Sequence, residues 1–144
     1  MYQDTITLYN YHAVTGCWYT AEFGNVDFSE LKSGTGTQHG VTSADAVEII
    51  LHTRADKTVE TAQGVMQYIG PKAYAALADP AGYFTFCPAR DFIVAGSFPL
   101  ERPVAEDDYE NGLFHALNRE RDGVYQITSA AWYGLLPHFE VGAR

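Results

Sequence analysis

Basic residues are scarce in this 144-residue chain: 9 Lys and Arg stand against 18 Asp and Glu, a net charge of −9. A nucleic-acid reader needs a surplus of Lys and Arg to neutralise phosphates, so sequence-specific nucleic-acid recognition is excluded. The same deficit argues against binding an anionic membrane surface. Cysteine is nearly absent, with only Cys17 and Cys87. Two are too few for a disulfide scaffold. Their apolar neighbours, Trp18 beside one and Phe86 and Pro88 beside the other, predict buried thiols in a reducing compartment. Long apolar runs are missing too. The longest, near residues 130–136, falls far short of the roughly 20 residues a membrane helix needs. No basic stretch followed by an apolar one opens the chain, so no signal peptide is expected and the protein reads as soluble and intracellular.

Aromatic residues are abundant: 10 Tyr, 8 Phe and 2 Trp, in a chain 47% hydrophobic and only 19% charged. That is enough apolar surface for a core, which excludes global disorder. The length fits one domain over residues 1–144. Aromatic side chains favour pleated, half-buried surfaces and point to β-structure.

Residues 4–11 alternate, with Ile6 and Leu8 on one side and Thr5, Thr7, Tyr9 and Tyr11 on the other. That period of two predicts a strand, and residues 17–23 predict its hairpin partner. Gly24-Asn25 is read as a break before a third short strand holding Val26, Phe28 and Leu31. Residues 33–43 read SGTGTQHGVTS, a flexible loop of small polar residues. Strands are expected over 44–54, 65–69, 83–86, 91–94, 124–131 and 138–141. A short helix is expected over 71–77, and the main helix over 107–119. Asp107 or Asp108 would cap the main helix, with Leu113, Phe114 and Leu117 as its stripe. The best fit is a mainly β (α+β) fold: a small β-barrel or strongly curved antiparallel sheet, one main helix in the C-terminal third and a short helix in the middle.

Chemical motifs are few. The glycines of Gly34, Gly36 and Gly40 suggest a phosphate loop, but the third falls one position late for a dinucleotide fingerprint, and no Gly-Lys-Ser/Thr follows. A mobile loop explains them better. His12, His39, His52, His115 and His138 show no metal-ligand spacing, so no metal is expected. Cys87 has the surroundings of a core thiol more than those of a nucleophile. Glu101, Glu106, Asp107, Asp108 and Glu110 suit a solvated helix start, or a patch that steers a basic partner. No catalytic residue and no cofactor is assigned. Tyr9, Tyr11, Trp18, Trp132 and Tyr133 exceed what one small core absorbs. They are candidate interface anchors, with cross-strand pairing as the alternative. Gly34, Gly36, Gln38, His39 and Gly40 form a candidate interaction loop.

The order of segments adds a resemblance. Asp4-Thr-Ile-Thr-Leu-Tyr-Asn10, Trp18-Tyr19, Phe84-Thr-Phe86, Asp91-Phe-Ile-Val-Ala-Gly96 and Val124-Tyr-Gln-Ile-Thr128 resemble a family of small phage and prophage structural proteins from Gram-positive hosts. The layout is similar to head–tail connector (head-closure) proteins. The resemblance implies a non-enzymatic virion-assembly protein at the neck or head–tail junction. It would be found in the virion, and in the host bacterial cytoplasm during assembly. Its implied partners are portal, adaptor or tail proteins, with a homo-oligomeric ring in the particle and no membrane contact. Two alternatives remain from the residues. One is a small intracellular ligand-binding domain or enzyme using His39, His52 or Cys87. The other is a phage accessory protein binding a host factor through its acidic face.

Overall fold

The structure, a computed structural model, describes residues 4–32 and 45–144. The candidate loop 33–43, with Gly34, Gly36, Gln38, His39 and Gly40, lies outside the described residues. The strands are β1 (Asp4–His12), β2 (Cys17–Lys32), β3 (Asp45–His52), β4 (Thr58–Thr61), β5 (Gly64–Tyr68), β6 (Tyr83–Phe84), β7 (Phe92–Ala95), β8 (Val104–Ala105), β9 (Val124–Tyr133) and β10 (His138–Ala143). The helices are α1 (Pro71–Ala75) and α2 (Leu113–Glu120).

Six of these strands close a barrel in the order β1-β7-β9-β10-β3-β2, with β2 returning to β1 and every neighbour antiparallel. The expected barrel is therefore present. Closure follows from β2. Its first half pairs with β1, and its second half with β3. Gly24-Asn25 does not break this strand, contrary to expectation. Between the pairs Asp4↔Val26 and Ile6↔Phe23, β2 takes one step more than β1. The extra residue is a bulge, which bends a strand without ending it, and the bend carries β2 from one partner to the other.

Strand alternation fills the barrel. Ile6, Leu8, Phe23, Ile49, Leu51, Ile93, Ile127, Phe139 and Val141 point inward and are buried. The chain between β3 and β7 closes one end. There β4 and β5 form a hairpin and β6 pairs parallel to β5. Tyr68 and Phe84 from this flap meet Phe139 of the barrel at ring separations of 4.6 and 6.5 Å.

A second core lies outside the barrel. Tyr9, Trp18, Phe92, Val94, Leu113 and Val124 are buried together beneath α2 and the chain leading into it. The single helix expected over 107–119 is replaced by a 3-10 turn at Glu106–Asp108, then α2. Asn111 (φ 66°) and Gly112 (φ 91°) both adopt left-handed backbone, which separates the two. Neither Asp107 nor Asp108 caps α2. Glu106 does, accepting from the Leu113 N–H at 2.9 Å and from Trp18 Nε1–H at 2.7 Å. One carboxylate thus ties the helix start to the barrel.

Candidate interaction site

The β9–β10 hairpin carries the most exposed apolar residues described. Its turn reads Gly134-Leu135-Leu136-Pro137. Leu135 is 95% exposed, Leu136 75% and Tyr133 46%. The base of the hairpin is firmly held. Trp132 points inward, its ring 5.1 Å from Phe139, and the Lys57 ammonium lies 5.1 Å from the Trp132 centroid. The Thr53 N–H donates to the Pro137 carbonyl at 3.3 Å. Outside, His138 stacks on Tyr133 at 5.2 Å, and its Nδ1 lies 2.6 Å from the Leu136 carbonyl. A tip fixed at its root and bare at its end has little freedom to lose on docking, which favours binding.

Below the tip, the register sets out the outer wall in rows. His52, His138 and Tyr133 form one; Ile50, Glu140 and Ala131 the next; Glu48, Gly142 and Ser129 the third. Small residues in the lower rows leave an open depression of about 440 Å³. Glu48, Glu140 and Arg144 line it. His138 Nε2 lies 3.0 Å from Glu140 Oε2, and that hydrogen bond, with the one to the Leu136 carbonyl, holds the His138 pKa above its ordinary value.

A buried polar network sits at the flap end. Asp91 is fully buried and accepts from Asn10 Nδ2 at 2.9 Å, the Tyr11 N–H at 3.0 Å and the Cys87 N–H at 3.0 Å. Asn10 also donates to the Thr85 carbonyl at 2.7 Å and accepts the Thr85 N–H at 3.2 Å. Loss of solvation pushes Asp91 up to about 7, against the downward pull of those donors. The network staples β1 to the chain entering β7, which is a structural task.

The expected chemical groups do not converge. His12 is buried, its Nε2 2.8 Å from the Leu77 carbonyl and its Nδ1 3.1 Å from Thr15 Oγ1. His52 faces out beside His138, with 6.3 Å between the rings. Burial pushes the Cys87 thiol up, and the Asp91 carboxylate adds to the shift, so its nucleophilic thiolate is disfavoured. Cys17 and Cys87 are half-buried, not buried as expected: Cys17 opens β2, and Cys87 lies in the connection between β6 and β7. Among the described residues no three His, Cys, Asp or Glu side chains gather as metal ligands, and no helix is long and apolar enough to cross a membrane.

The five candidate anchors divide. Tyr9 and Trp18 are core residues and present nothing to a partner. Tyr9 stacks on Phe92 at 4.6 Å and donates its hydroxyl to the Phe98 carbonyl at 2.5 Å. Trp18 packs edge-on to Phe92 at 5.0 Å. The reason is the cover laid over β1, β2 and β7 by residues 98–120. Tyr11 is half-buried under the Arg90 guanidinium, 4.9 Å from its centroid, and Trp132 is half-buried in the barrel. Tyr133 alone of the five is exposed. Leu135 and Leu136 were not among the candidates, although two leucines inside a Gly-to-Pro turn are a readable signal.

Fold and site together define a small closed antiparallel β-barrel with one wall covered by a helix and the opposite wall bare among the described residues. The chain belongs to Family of unknown function (DUF6751), which matches residues 1–144. No curated protein and no solved structure shows significant similarity to it.

Proposed function

We propose that this protein is a non-enzymatic assembly component that works by protein–protein contact, and that its setting is a phage or prophage virion, at the neck or head–tail junction. The observation that carries the contact reading is the β9–β10 tip, where Leu135 and Leu136 stand 95% and 75% exposed on a rigid hairpin. A soluble monomer gains nothing from holding two adjacent leucines in water, whereas an interface gains their burial. The virion setting rests on the segment order described above. The barrel supplies a stiff body, and the tip supplies the contact. Portal, adaptor or tail proteins are the partners of this reading.

The test is mass spectrometry of purified particles and assembly intermediates from a lysogen carrying the gene. Wild-type chain is expected in both. A Leu135→Asp, Leu136→Asp double variant is expected to fold, yet to be depleted from particles at least about 10-fold, given the burial energy of two leucines. Absence of the wild-type chain from particles and intermediates overturns the reading.

A further inference from the structure

The tip has a counterpart on the same molecule. Where the flap meets β2, a groove of about 260 Å³ opens between Val65, Met66, Pro80, Tyr83, Leu100 and Pro103. Two of its walls are abnormally bare: Val65 is 50% exposed and Tyr83 37%. The volume lies below the roughly 300 Å³ at which small-molecule pockets begin, and suits aliphatic side chains better than a cofactor.

Strand order fixes where tip and groove stand. Around the barrel, β7 separates β9 from β1, and β3 separates β10 from β2. The β9–β10 hairpin is therefore opposite the β1–β2 hairpin. Both β1 and β9 run antiparallel to β7, so both hairpins turn at the same end. The groove lines that end of β2, at Trp18, Tyr19 and Thr20. Knob and hole thus sit at one level on opposite sides of one body. That is the layout of a heterologous contact, in which each copy offers a knob forward and a hole behind.

We infer that copies of this chain join head to tail, Leu135 and Leu136 of one copy entering the groove beside Val65 and Tyr83 of the next. This deepens the assembly reading by naming a second copy as a partner. It rests on the contact part of that reading and not on the virion setting. The contact closes into a ring if the rotation per copy allows, and otherwise extends as a filament. Charge gives it a signature. Each copy carries −9, so approaching copies repel. The tip is apolar, and the groove sets its apolar walls beside Gln63, Glu101 and Arg102. Salt screens the repulsion between copies, so association rises with ionic strength. Contact with a basic partner would weaken instead.

The experiment uses the full chain with Cys17→Ser and Cys87→Ser, checked for native circular dichroism. Leu136→Cys chains are mixed with Val65→Cys chains of different mass and treated with a short bismaleimide. The expected product is the mixed dimer, with little cross-linking in either variant alone. Sedimentation of the untreated wild-type chain is expected to show association that tightens several-fold between about 20 and 300 mM NaCl. Leu135→Asp with Leu136→Asp is expected to weaken it about 100-fold or more. Leu136→Cys chains linking to themselves as fast as to Val65→Cys chains overturn the head-to-tail geometry. A monomer at every concentration and salt overturns self-association. A chain that enters virions but stays monomeric defeats this inference alone, and a head-to-tail oligomer missing from virions defeats the virion setting alone.

Discussion

Two walls of one barrel carry the same strand pattern and meet opposite fates. On β1 the outward residues Thr7 and Tyr9 are 0% and 2% exposed. On β9 the outward Ser129, Ala131 and Tyr133 are all exposed. The difference lies in the cover. Residues 98–120 fold over the first wall and make it a second core, with Leu113, Phe114 and Leu117 of α2 facing Phe92 and Val94. Nothing among the described residues lies over the second. A covered wall gives stability, and a bare wall gives a surface for contact.

Aromatic truncation on each wall breaks the comparison most strongly. Trp18→Ala removes an indole that is 97% out of solvent, together with its bond to Glu106 and hence the anchor of α2. It is expected to cost about 3–5 kcal/mol in urea unfolding. Tyr133→Ala on the bare wall is expected to cost less than about 1 kcal/mol. Comparable losses at the two sites would mean that the bare wall is covered in solution.

Asp91 sharpens the comparison, because its network buttresses the covered wall from the flap end. A carboxyl whose pKa is raised by folding, here from 3.8 to about 7, stabilises the fold below its unfolded value. That contribution is lost as pH climbs through about 7. His138, also raised, loses its share in the same direction, though it lies on the bare side and near the surface. Asp91→Asn cannot titrate, and whichever way its amide turns, its NH2 faces a donor: the Tyr11 N–H on one side, or Asn10 and Cys87 on the other. It is expected to destabilise by about 2 kcal/mol at pH 5, with the gap to wild type narrowing by pH 8. Urea melts at both pH values read this directly. A gap constant with pH would mean that Asp91 stays ionised throughout.

These walls also mark where sequence reading stops. The alternation of Ile6 and Leu8 against Thr7 and Tyr9 tells which side of the sheet each residue takes, and β1 is legible on that ground, as β3 is from Val47, Ile49 and Leu51. Alternation does not tell whether the outer side is covered. In sequence Tyr9 and Trp18 fit interface anchors and cross-strand pairs equally, since what buries them lies about 90 residues further on, at Phe98 and Glu106. The bulge at Gly24-Asn25 reads as a break because glycine marks both. The cap of α2 was misplaced because Glu106 reaches it across a 3-10 turn instead of from the usual position just before the first turn. Of the candidate site, Tyr133 was legible. Leu135 and Leu136 follow no strand or helix period, and a turn shows in sequence through its glycine and proline, not through what it displays.

The smallest effects come from adding one methyl group to each wall. Gly112→Ala places a Cβ on a left-handed backbone, where it would overlap the Glu106 carboxylate. That carboxylate cannot yield, because it is held by both Trp18 and Leu113. A loss of about 2 kcal/mol is expected, from strain and the displaced cap. On the bare wall, Gly142→Ala brings its Cβ to 2.8 Å from Ser129 Oγ. Here the obstacle is an exposed hydroxyl that can rotate away, and replacing a strand glycine lowers the entropy of the unfolded chain. The change is expected to stay within about 0.5 kcal/mol. Thermal melts of the two variants side by side therefore measure how rigidly each wall is held. A large loss at Gly142 would mean that Ser129 is locked and that the bare wall is a rigid platform all the way to its end.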